Sequence, residues 1–148
     1  VLKYAPELEE EFRKRKKPVG PSWRVDETYV KVKGHWKYLY RAVDKEGATL
    51  DFLLTAKRDV EAAKRFFKKS IHLSGMAEKV TIDKSGANIL EKDHRAIKRK
   101  IRPMLGFKSF RSATKTISGI EIMHMIRMGQ MPDSRNLTHS EQFYSLAG

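Results

Sequence analysis

Three carboxylates stand where their type and spacing could support chemistry. Asp26 falls in the middle of a β-branched and aromatic run, Trp-Arg-Val-Asp-Glu-Thr-Tyr, and an ionised group there is costly unless it is paired or metal-bound. Asp83 ends a second apolar run, Lys79 to Ile82, and the carboxyl ends of strands are where ligand sites form in α/β sheets. Glu91 opens a basic, helix-patterned stretch. Converging from two strands and a helix, these three would make an all-oxygen pocket suited to Mg²⁺ or Mn²⁺. Two such ions, roughly 3.5–4 Å apart, clamp the attacking and leaving oxygens of a phosphoryl transfer. Blander roles stay open for each: a salt-bridged strand aspartate, a turn residue before Ser85-Gly86, a carboxylate favoured by a helix N-terminus. Glu27, Asp44, Asp51 and Asp93 read as solvated surface carboxylates. The five histidines form no spaced ligand set, and His94 reads as a half-buried helix residue. Met123 to Met128 reads as helix core.

The elements that must position these groups follow from the hydrophobic pattern. Residues 1–17 read as a helix with Tyr4, Leu8 and Phe12 on one face, broken by Pro18-Val-Gly-Pro21 and therefore an appendage. Trp23 to Val32, Trp36 to Val43 and Ala48 to Thr55 read as three strands with turns at Lys33-Gly34 and Asp44-Lys-Glu-Gly47, giving an antiparallel meander. Asp59 caps a helix with Ala63, Phe66, Phe67, Ser70 and Ile71 inward. Lys79 to Ile82 is a short buried strand, parallel to an earlier one because a crossover helix precedes it. Ile89 to Arg102 is a helix ended by Pro103. Ser109 caps a last helix, to about Met128, with Phe110, Ala113, Ile117, Ile120 and Met123 inward. The tail after Gln130 is polar and turn-rich, hence loosely held. This order is that of a mixed sheet with helices, in the α/β or α+β class.

Bulk composition narrows the partners. The chain has 148 residues, 40% of them hydrophobic, enough for one domain with a real core. Lysine and arginine number 31 against 18 acidic residues, a formal charge of +13, and nucleic acid is the default partner for such a surface. An anionic membrane surface fits less well, for no long basic amphipathic segment dominates, and no apolar run approaches a membrane span. Absence of cysteine excludes disulfides and thiolate-bound zinc and fits the cytoplasm. The start, Val1 to Lys17, is charged, with no signal-peptide core, and the first residue is not methionine, as in a fragment or processed product.

The runs Ser22 to Gly34 and Trp36 to Gly47, with Leu54 to Arg58, Ala62 to Phe66, Glu91 to Arg99, Pro103 to Phe110, Gly119 to Met123 and Ser140-Glu-Gln-Phe-Tyr, closely resemble the catalytic core of bacterial insertion-sequence transposases of the Asp-Asp-Glu type. The resemblance spans almost the whole chain. It implies an α/β fold, a ribonuclease-H-like (integrase-like) mixed sheet with flanking helices. It implies that Asp26, Asp83 and Glu91 are the catalytic, metal-binding residues, with Mg²⁺ or Mn²⁺ as cofactor. Lys98, two helical turns after Glu91, matches a DNA-contacting basic residue, and Arg95 and Arg102 flank it. The implied activity is metal-dependent DNA cleavage and strand transfer by a homo-oligomer on transposon ends and target DNA, in the bacterial cytoplasm with the nucleoid.

Two departures from the family follow. Residues 1–21 match only the trailing helix and linker of an end-reading helix-turn-helix domain, leaving 22–130 as the catalytic core and 131–148 as a flexible tail. Only seven residues separate Asp83 from Glu91, where the family carries several tens, including a helix and a sheet strand. A core lacking that helix and edge strand exposes the strand that ends at Asp83, so self-association or low stability is expected. The alternative to an enzyme is a non-catalytic, basic nucleic-acid-binding remnant.

Overall fold

In the computed structural model the described residues are 4–82, 106–132 and 136–147. Their elements are α1 (Ala5–Arg15), β1 (Ser22–Val32), β2 (His35–Asp44), β3 (Thr49–Thr55), α2 (Val60–Ser74), β4 (Lys79–Ile82), α3 (Phe110–Arg127) and α4 (His139–Tyr144). The sheet runs β3-β2-β1-β4. The first three strands form the antiparallel meander expected of them, and β4 lies parallel to β1. This is the mixed sheet with flanking helices expected of a ribonuclease-H-like core.

Turn chemistry sets the hairpins. Lys33 and Gly34 both take positive φ, as a tight right-twisted hairpin requires. At the next turn Asp44 accepts the backbone N–H of Glu46 and Ala48, and Gly47 supplies the left-handed residue. Asp59 and Ser109 cap α2 and α3 as expected, accepting the N–H of Ala62 and Ser112.

Strand alternation divides the core. Val30, Val32, Leu39, Phe52 and Leu54 face α1 and α3, packing with Leu8, Phe12, Ala113 and Ile117. Trp23, Val25, Tyr40 and Ala42 face α2, packing with Ala62 and Phe66. The inward face of α2 is Ala62, Phe66 and Ser70; Ile71 is exposed, because the face is turned by one residue from the one expected. Phe110 is likewise exposed at the first turn of α3, while Ala113 and Ile117 are buried.

Three expectations need correction. Helix α1 is no appendage: Leu8 and Phe12 belong to the main cluster, although Tyr4 is exposed. Glu9 accepts from Ser118 of α3, and Arg13 pairs with Glu9 and with Asp51 of β3, so Asp51 is buried rather than solvated. Lys16 donates to the Thr49 and Leu50 carbonyls, and burial first, then Arg13, pulls its ammonium down to about 8. The described residues after Gln130 are not loose either. Gln130 makes a two-way bond with the Thr49 backbone, Met131 and Leu146 enter the core, and Thr138 and Glu141 form a capping box on α4. Apolar side chains at wide spacing found this core where local polarity pointed to a tail. Finally, β4 is exposed at all four residues rather than buried, and it is the last strand of the described sheet. Among the described residues no helix is long and apolar enough to cross a membrane.

Phe12 tests the first correction. Phe12→Ala is expected to cost about 3–5 kcal/mol in urea-induced unfolding, the range for truncating a fully buried aromatic. A loss under about 1 kcal/mol would make α1 an appendage after all.

Candidate active site

Asp26 sits midway along β1, 8% exposed. Its Oδ1 accepts the N–H of Glu27 at 2.7 Å. By alternation it shares the α1/α3 face of the sheet with Val30 and Val32. Opposite it in register on β2 stands Arg41. The Arg41 guanidinium is buried against Glu121 of α3, with Nε 3.0 Å from Oε1, and donates to Thr49 Oγ1 at 2.9 Å. This buried pair joins sheet to helix beside Asp26, on the same face of the sheet. Composition had passed over both partners. The available signal was a charge inside each of two apolar runs, Leu39-Tyr-Arg-Ala-Val43 and Ile120-Glu-Ile-Met123.

The other flank of β1 is met at both ends. Its first residues pair with β4, ending at Val25↔Ile82. Near its far end Phe107 bridges Val32, exchanging bonds of 2.7 Å with the Lys31 carbonyl and the Lys33 N–H. Gly106 makes this approach feasible, since a Cβ there would stand 2.9 Å from the Lys31 carbonyl oxygen. The anchors lie about 23 Å apart along the strand at 3.3 Å per residue. Between them, from Asp26 to Val30, no described strand covers the flank.

Asp83, Glu91, Arg95, Lys98 and Arg102 lie outside the described residues, as does the helix expected over Ile89 to Arg102. Among the described residues, no three His, Cys, Asp or Glu side chains are grouped to hold a metal ion. Of the expected triad, Asp26 alone is among the described residues.

Comparison with known proteins follows the same outline. A family model described as a DDE domain, of the IS240 transposase type, matches residues 20–87 and 84–130. The transposases of the insertion sequence-like element IS431mec and of IS257 in transposon Tn4003, both from Staphylococcus aureus, are 36% identical over 153 positions, covering 85% of this chain. The chain spans 66% of the length of these relatives. An uncharacterised Yersinia pseudotuberculosis protein is 50% identical over 48 residues, 32% of this chain. Among solved structures, the HTLV-2 integrase catalytic core domain in complex with magnesium is similar at TM-score 0.42 and 17% identity, over 89% of this chain and 85% of that one. The staphylococcal alignment is longer than the whole 148-residue chain yet takes in only part of it, so the relatives carry internal residues that this chain lacks. The family match likewise breaks into two segments meeting at 84–87, between Asp83 and Glu91. On the matched length and identity, the chain belongs to the DDE-domain family of insertion-sequence transposases.

Proposed function

We propose that this chain is a transposase catalytic core that cuts DNA at a transposon end and joins the resulting 3′ hydroxyl to target DNA. Asp26, Asp83 and Glu91 are its metal-binding, catalytic residues. The observation that supports this most directly is strand register. Pairing of β1 with β4 ends at Val25↔Ile82, and in the sequence the residue after each of these two is an aspartate. One further step of the same pairing would set the two carboxylates side by side, about 4.8 Å apart at the backbone. Like charges that close are unfavourable together unless a cation lies between them. Glu91 is eight residue steps from Asp83, a reach of at most about 29 Å, so the shortened connection still allows it to join them.

The donor set is all oxygen, which fits Mg²⁺ or Mn²⁺. Bound there, such ions would stabilise the charge on the attacking and leaving oxygens of the phosphoryl transfer. The chain itself supplies orientation and charge. Asp26 is fixed by the stiffness of a central strand and by its bond to the Glu27 N–H. Arg95, Lys98 and Arg102 fall within about 40° of Glu91 on a helical projection, and on that stripe they would neutralise DNA phosphates beside the site. The exposed β4 strand supports a chain that associates with itself, and its family supports action on DNA in the bacterial cytoplasm.

Calorimetric titration with Mn²⁺ tests the site. The expected result is saturable binding by the protein and none by Asp26→Asn. A folded protein that binds no Mn²⁺ would overturn the assignment and leave a basic nucleic-acid-binding remnant.

A further inference from the structure

Opposite the Asp26 face, the tip of the β1–β2 hairpin carries a second surface that the proposed reaction does not use. In register, Tyr29 stands beside Tyr38 and Lys31 beside Trp36. By alternation all four share the sheet face of Trp23, Val25, Tyr40 and Ala42. Helix α2 covers that inner part, with Phe66 stacked on Tyr40 at 5.8 Å. Towards the tip the face opens. Trp36 is 60% exposed and Tyr29 51%. The rings of Tyr29 and Tyr38 meet edge to face at 5.5 Å, and Lys31 Nζ lies 5.6 Å from the centre of the Trp36 ring.

Single exposed apolar residues are ordinary, but aromatic faces assembled with a cation over one of them are an organised surface. Its charge is one-sided. Lys31 and Lys33 stand at the tip, and Glu27, the acidic side chain farther down the same row, is held by Arg58 at 3.0 Å. Aromatic rings with interleaved lysines match the two needs of an unpaired nucleic-acid strand, base stacking and phosphate neutralisation. A duplex hides its base faces within its own stack, so the rings would add little there.

The geometry points to Tyr29, Trp36 and Tyr38, with Lys31, as a stacking platform for a single-stranded DNA segment, apart from the carboxylate site. The choice of DNA over RNA rests on the transposase reading; the stacking does not.

Fluorescence anisotropy with labelled oligo(dT), oligo(rU) and a duplex of equal length tests it on the whole chain. Trp36→Ala is expected to weaken oligo(dT) binding about tenfold and duplex binding less than twofold. Trp36→Phe should retain most of the affinity, which loss of fold would not allow. Lys31→Gln should lower the slope of log affinity against log salt on oligo(dT) by about 0.7, whereas Trp36→Ala leaves that slope unchanged. Equal losses on oligo(dT) and duplex, or no loss, would overturn the platform. So would a sedimenting dimer that Trp36→Ala dissociates without changing oligo(dT) affinity, which makes the face a self-association surface. Tighter binding of oligo(rU), equally sensitive to Trp36→Ala, would overturn the assignment to DNA. Mn²⁺ titration separates the two proposals: Trp36→Ala should leave it unchanged, and a chain that binds no Mn²⁺ can still show the Trp36 effect.

Discussion

Asp26→Asn is expected to reduce metal-dependent strand cleavage about a thousandfold or more while leaving duplex binding unchanged or slightly tighter. If Asp26 holds the proposed metal ions, removing its carboxylate forfeits several kcal/mol of transition-state stabilisation, and each 1.36 kcal/mol is a factor of ten in rate. The substitution is close in shape and keeps an oxygen that can accept the Glu27 N–H, now bonded at 2.7 Å. The fold should therefore persist, with a melting temperature within a few degrees of the parent. On the proposed reading one negative charge is removed beside the bound DNA, so the salt-dependent attraction does not fall. Cleavage measured in Mn²⁺ on a labelled duplex, with binding measured in parallel, gives the separation. A variant that cuts at the parental rate would remove Asp26 from the chemistry. Loss of cleavage and melting together would mean that Asp26 acts on the fold.

The antiparallel meander and both expected N-caps were legible because they rest on local signals, alternation, turn residues and a capping side chain, and a parallel β4 followed from the crossover helix before it. Asp26 was legible for a related reason, being a charge where alternation and β-branching announce a strand interior. What escaped was long-range. Nothing local to Phe12 or Leu146 says that they meet one core, because that depends on where α3 is carried by the chain between β4 and Gly106. Asp51 and Glu9 look like surface acids in sequence, and only the approach of Arg13 from another element accounts for their burial. The exposure of β4 was hidden by its own apolar residues, which promised a buried strand without showing what would lie against it. For the carboxylate site the register legible from the fold reaches to the residue before Asp83.

The Arg41–Glu121 pair carries the other large expected effect. Both side chains are essentially inaccessible, and the guanidinium also donates to Thr49. Burying two charges costs nearly as much desolvation as their attraction returns, so the intact pair adds little net stability. Breaking it is different, because the remaining charge stays in the core without its counter-ion. Glu121→Gln is therefore expected to destabilise the protein by about 3–5 kcal/mol in urea unfolding, much of a margin of about 5–15 kcal/mol. Replacing both partners, Arg41→Met with Glu121→Leu, should recover most of that loss, since no unpaired charge is left behind. The asymmetry between single and double variants is the signature of a desolvated pair. A double variant no more stable than Glu121→Gln would instead show that the polar contacts, including the bond to Thr49, hold α3 against the sheet by their geometry. A single variant costing under about 1 kcal/mol would mean that water reaches the guanidinium. The pair matters to the site because Arg41 stands across from Asp26 in register and Glu121 ties that row to α3. The row that presents the carboxylate is thus tied to α3 by a pair that adds little net stability when intact and is costly to break from one side.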